Sequence, residues 1–233
     1  MYKLFNLNKL TPLNLFNIKH VDFPDSEYFH EIYPKHQIIL HHTVSGPGIL
    51  GDVNTWVKNG GHINTPIVIS RNGDIHQLYS SKYWAHSLGC KQLYLKNMGY
   101  SDYKTRDNYL NRSAIAIELD NWGPLMKVGD HAYKTVYGNI VNVKATEYID
   151  GYKGYNYFES YTKEQIISVA QLLLFWNKRY NIPLDYHKDM WGVTKNALDG
   201  NKGIWTHASY RYDKSDCHPD PYLISMLMQL KDL

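Results

Sequence analysis

The stretch Gln37-Ile38-Ile39-Leu40-His41-His42-Thr43 decides how this chain is read. It is short, apolar and rich in β-branched residues, and it ends in two histidines. A run of this kind reads as a buried strand rather than a helix, because it is too short to show a helical stripe. A second run of the same character is Ser113-Ala-Ile-Ala-Ile-Glu-Leu119, which places Glu118 near its end. A third, Gly203-Ile-Trp-Thr-His207, finishes on His207. Pro66-Ile-Val-Ile-Ser70 and Asp74-Ile-His-Gln-Leu-Tyr79 flank Asn72-Gly73. That dipeptide tolerates positive φ, so the segment reads as a β-hairpin with a tight turn.

Helical segments lie between these strands. Thr162-Lys-Glu-Gln165 has capping-box spacing, and Ile166, Val169, Ala170, Leu173 and Trp176 follow on one helical face. That helix is expected to end near Asn181, ahead of Pro183. Asp52 to Asn59 reads as a short helix stopped by Gly60-Gly61, and Pro221 to Leu230 as a closing helix. Strands alternating with helices predict an α/β fold, with a central mixed β-sheet flanked by helices. Residues 1–35 read as an irregular lead-in interrupted by Pro12, Pro24 and Pro34, and 36–233 as one domain. Residues 121–161, rich in Gly, Tyr and Asn, read as an extended hairpin or surface excursion. Neither that stretch nor 90–112 suggests a role.

Composition excludes several classes. The formal net charge of +3 and the lack of a basic block argue against nucleic acid as partner. No stretch approaches the ~20 apolar residues of a membrane helix, so membrane insertion is not expected. Asn and Lys break up the first ten residues where a secretory signal needs an apolar core. Synthesis and retention in the cytoplasm follow as the expectation, until another agent releases the protein. Cys90 and Cys217 form no CxxC pair and no disulfide framework.

His41, Glu118 and His207 all fall at strand exits, where α/β sheets build their sites. A catalytic zinc takes three protein ligands and leaves one position open. Two histidines, with Asp216 returning nine positions after His207, have the makings of such a set. Each residue alone has an ordinary structural explanation, and His42 competes with His41, because neighbours on a strand face opposite ways.

Taken together the segments resemble the type-2 N-acetylmuramoyl-L-alanine amidases, relatives of the peptidoglycan recognition proteins. Ile38–Thr43 resembles the family's opening strand, Pro66–Tyr79 its hairpin and Trp84-Ala-His-Ser-Leu-Gly89 its substrate-contacting segment. Ser113–Leu119 resembles the strand of the catalytic glutamate, Tyr161–Gln165 the start of the long helix, and Thr206-His207 with Lys214-Ser-Asp216 the second histidine and its lysine–aspartate pair. The resemblance spans about His36 to Leu230 and implies a peptidoglycan recognition protein-like amidase fold. It implies His41, His207 and Asp216 as Zn2+ ligands, Glu118 and Lys214 as catalytic residues, and His86 and Trp84 as substrate contacts. It also implies zinc-dependent hydrolysis of the amide between N-acetylmuramic acid and L-alanine in peptidoglycan.

This chain departs from the pattern in two places. Cys217-His218 intervene between Asp216 and Pro219, which leaves Asp220 and Cys217 as rival third ligands. Thr65 stands where some relatives carry a catalytic tyrosine, so base duty falls to Glu118. A phage-type lytic enzyme, favoured by the added length, is set against two alternatives: a wall-binding module without activity and a cytoplasmic amidase recycling small muropeptides.

Overall fold

A computed structural model describes residues 10–231; the reading of the N-terminal segment as lacking a secretory signal falls almost wholly outside them. The central sheet has six strands: β1 (Lys19–His20), β2 (Gln37–His42), β3 (Ile67–Ile69), β4 (Ile75–Gln77), β5 (Ala114–Leu119) and β11 (Gly203–Thr206). Their spatial order is β1-β4-β3-β5-β2-β11. β2 runs parallel to both β5 and β11, and β3 parallel to β5, while β3 and β4 are antiparallel. The sheet is therefore mixed, as expected. Every residue of β2 is buried, as an interior parallel strand covered on both faces requires.

Alternation along β3 shows how the two faces are covered. Ile67 and Ile69 join the main core with Ile166, Val169 and Leu173 of α4 (Lys163–Tyr180). Val68, between them, packs instead with Ile49 and Val53 of α1 (Ile49–Asn59). Consecutive side chains on a strand point to opposite faces, so one tripeptide feeds two cores. α5 (Lys195–Leu198) is a single turn, and α6 (Pro221–Leu230) lies beside α4, contributing Leu223, Met226, Leu227 and Leu230 to the main core.

The α4 capping box forms as the sequence predicts: Thr162 Oγ1 accepts the Gln165 N–H at 3.1 Å, and Gln165 Oε1 accepts the Thr162 N–H at 3.1 Å. Thr162→Ala is expected to lower unfolding free energy by about 1 kcal/mol. A denaturant melt checks this, and an unchanged midpoint would rule out the cap as a stabilising element.

Three expectations need correction. Only Gly73 has positive φ (85°) in the hairpin turn, and Asn72 does not. The Gly73 N–H bonds Ser70 O and the Ser70 N–H bonds Asp74 O, which makes a three-residue loop with a left-handed glycine instead of a two-residue turn. A Cβ at Gly73 would lie 2.8 Å from Glu164, so the glycine also lets the hairpin abut α4. The lead-in is mostly irregular where described, yet β1 adds to the sheet edge against β4, and Phe23 and Tyr28 are buried around Tyr79.

Residues 124–159 are more than a hairpin. They form a second, five-stranded antiparallel sheet in the order β8-β7-β6-β10-β9. Its strands are β6 (Pro124–Lys127), β7 (Ala132–Thr135), β8 (Ile140–Asn142), β9 (Ala145–Tyr152) and β10 (Tyr155–Glu159). Arg71 ties its base to the central sheet, pairing with Asp120 and, at 2.9 Å, with Glu159.

Candidate metal centre and catalytic cavity

Strand register brings the site together. His41 of β2 pairs directly with Glu118 of β5, and Glu118 with Val68 of β3, so all three share the face covered by α1. Thr206 pairs with Leu40, which puts His207 level with His41 just past the end of β11. The site thus sits at the carboxyl ends of three parallel strands, where the ends of a parallel sheet open into a crevice.

His41 Nδ1, His207 Nδ1 and Asp216 Oδ2 form a buried triangle. Its edges are 3.1 Å between the imidazole nitrogens, 3.1 Å from His41 to Asp216 and 2.9 Å from His207 to Asp216. Tetrahedral zinc with bonds of about 2.0–2.1 Å places its ligand atoms about 3.3 Å apart, so the triangle is near the right size. Among the described residues these three are the group able to hold a metal ion.

The protons also fit a cation. His207 Nε2 lies 2.9 Å from Leu88 O, and only an N–H can satisfy that carbonyl. A proton therefore sits on Nε2, and Nδ1 is the nitrogen turned toward its two neighbours. Burial, reinforced by nearby His207, pushes His41 down to about 4, so this imidazole is neutral near pH 7. Burial alone would raise Asp216, but His207 and His41 outweigh it and hold its carboxyl well below the usual range. Two imidazole nitrogens and a carboxylate oxygen thus converge on one point. A cation at their centre satisfies all three.

Glu118 stands beside this triangle without belonging to it. Its Oε2 is shielded from solvent and has no hydrogen-bond partner. Burial, with Asp216 and Asp52 nearby, raises its carboxyl well above the ordinary value, and Lys214 pulls the other way. Glu118, Lys214 and His86 all line one cavity of about 370 Å3 with the triangle at its floor. His86 is half-buried, and burial lowers its pKa, so it faces the cavity as a neutral imidazole near pH 7.

Trp84 is the site residue that sequence reading misplaces. Its indole is 4% exposed, stacked on Phe29 at 4.0 Å, and its Nε1 donates to Glu31 at 3.2 Å. It does not line the cavity. Its ring instead meets His86 edge-on at 5.6 Å, so it buttresses the residue that does.

The rival ligands have other duties. Asp220 Oδ1 caps α6, accepting the N–H groups of Tyr222 and Leu223 at 2.8 and 3.3 Å, and its Oδ2 accepts from Thr146. Cys217 is fully buried in the main core. His42 turns to the opposite face, where its Nδ1 meets Tyr161 OH at 2.8 Å. Thr65 lines the cavity, but its hydroxyl donates back to Ile67 O at 3.1 Å.

Residues 90–112 gain a role that their sequence does not announce. They fold into α2 (Gln92–Asn97) and α3 (Arg106–Ser113). Asn111 of α3 accepts the backbone N–H groups of Ser87 and Leu88 at 2.8 and 3.2 Å. It thereby holds the segment whose Leu88 carbonyl sets the His207 tautomer. That contact is invisible in sequence, because it involves a backbone oxygen and one asparagine among many.

Residues 33–221 match the family model for N-acetylmuramoyl-L-alanine amidase. Similar solved structures include the endolysin N-acetylmuramoyl-L-alanine amidase LysCS from Clostridium intestinale URNW, with 14% identity over 87% of this chain and 86% of that one and a TM-score of 0.45. PlyL has 13% identity over 92% and 96% of the two chains, with a TM-score of 0.49. A selenomethionine derivative of AmpD has 14% identity over 93% and 94%, with a TM-score of 0.48. No curated protein matches the chain. No helix among the described residues is long and apolar enough to cross a membrane.

Proposed function

The chain belongs to the N-acetylmuramoyl-L-alanine amidase family, and from that membership we propose that it is a zinc hydrolase of peptidoglycan, cutting the amide between N-acetylmuramic acid and L-alanine. The observation that carries this reading is the His41–His207–Asp216 triangle with the unpartnered Glu118 carboxylate beside it. When bound there, zinc would bring the pKa of a water molecule toward neutrality and polarise the scissile carbonyl. The residues divide the remaining work. Glu118 takes a proton from the attacking water and delivers it to the leaving amine nitrogen. The Lys214 ammonium faces the cavity as a positive partner for charge developing on the carbonyl oxygen. His86, held by Trp84, offers a hydrogen bond that orients the substrate.

A wall-binding module without activity would have no use for an orphaned buried carboxylate next to a complete ligand set. Between polymeric wall and small muropeptides, we favour the polymer, in a lytic enzyme that reaches the wall once another agent releases it from the cytoplasm. The experiment is to digest purified peptidoglycan and follow free amino groups. New N-terminal L-alanine is expected, abolished by a chelator and restored by zinc. Reducing sugar ends in place of amino groups would mean a glycosidase, and chelator-insensitive cleavage would remove the metal from the reaction.

A further inference from the structure

The second sheet meets the cavity through the turn between β7 and β8, and Tyr137 is the residue it places there. We propose that Tyr137 is a specificity-determining residue that stacks on a sugar ring of the glycan strand, an inference that rests on the amidase reading above.

The turn is built to present this side chain. The Gly138 N–H bonds Thr135 O, the Thr135 N–H bonds Asn139 O, and Thr135 Oγ1 accepts the Asn139 N–H at 3.2 Å. Gly138 takes φ of 88°, the left-handed position such a loop requires. Tyr137 is thus held at a defined corner, yet its side chain is 69% exposed and adds little to the core. A large ring left in water on a rigid turn at a cavity mouth is the pattern of a contact residue. Tyrosine offers wide contact area at the cost of few torsions.

The sheet behind it is fixed relative to the metal loop. Tyr152 OH donates to Cys217 O and Trp191 O, and His218 stacks on Phe158 at 4.8 Å while bonding Tyr148 OH at 2.8 Å. Asp216 is the neighbour of this clamped segment, so the distance from Tyr137 to the triangle is set by the fold.

The cavity's chemistry selects the ligand. Trp56 and the exposed Ile63 line it as apolar groups, while Glu118, Lys214 and the triangle make its polar floor. A pyranose has a flat C–H face for an aromatic ring and hydroxyls at its rim, which suits an aromatic lip above a polar floor.

The test compares wild type with Y137A, Y137F and Y137L on purified wall, with peptide-free glycan strands and free stem peptide as competitors. Y137A and Y137L are expected to raise KM about tenfold, with kcat within about twofold, and Y137F to restore KM. Inhibition by glycan strands should weaken about tenfold in Y137A, and inhibition by stem peptide should not change. Unchanged KM in Y137A, rescue by leucine, or a loss confined to stem-peptide inhibition each overturns the proposal. Co-sedimentation with intact wall is read in parallel. If the wild type releases no amino groups, the amidase reading fails by itself; equal sedimentation of Y137A and wild type then overturns the sugar contact, and weaker sedimentation of Y137A sustains it.

Discussion

Glu118→Gln is expected to keep a full complement of bound zinc and to lose roughly two to four orders of magnitude in turnover, the usual worth of a general base. The substitution preserves shape and removes only the ability to accept a proton. Glu118 makes none of the contacts within the His41–His207–Asp216 triangle, so the metal has no reason to leave. Its Oε2 has no hydrogen-bond partner, so the amide breaks no existing bond and stability should hardly change. The raised proton affinity of Glu118 suits the role: a carboxylate that holds a proton more firmly than usual is a better base and a competent donor to the leaving nitrogen. Metal analysis of the purified variant and amino-group release from peptidoglycan together decide the matter. Turnover near the wild-type rate would falsify the assignment of the base, and loss of zinc would place Glu118 among the ligands.

Sequence reading located this residue because strand β5 is an unbroken apolar run in which Glu118 stands out, and the same holds for His41 in β2. α4 was equally legible, since a capping box and a clean apolar face are local signals. The second sheet was not. Four of its five strands have five residues or fewer, and exposed Lys134, Ile140 and Ile149 stand among buried Tyr133 and Phe158, so no sustained apolar run marks the sheet. Arg71 and Glu159, which pin it, lie 88 positions apart and look like ordinary surface charges. Trp84 was misread for a related reason. A tryptophan two residues from a cavity histidine can touch substrate or support the histidine, and only the buried stack on Phe29 separates the two. The choice among Asp216, Cys217 and Asp220 likewise depends on geometry, because all three lie within five positions and differ in where the chain points them.

That choice leads to the other large effect expected. Asp216→Asn and His207→Ala should each lose bound zinc and activity together, whereas Asp220→Asn should keep both. Asparagine at 216 replaces an anion with a neutral amide beside two imidazoles, so the site no longer offers negative charge to a divalent cation. Alanine at 207 removes one corner of the triangle and frees Leu88 O, leaving His41 and Asp216 too few to define a site. Even groups that only orient metal ligands are worth about 10–100-fold in affinity or activity, so removing a ligand should cost more. Asp220 instead caps α6 through two backbone N–H groups, a task asparagine performs about as well, so this variant should lose little stability. Cys217→Ser, at a core position, should also retain the metal. Zinc content, thermal melting and amino-group release on the four proteins distinguish the outcomes. If the variant at 220 loses zinc while the variant at 216 keeps it, the third ligand is Asp220, and the loop carrying both must rearrange on metal binding.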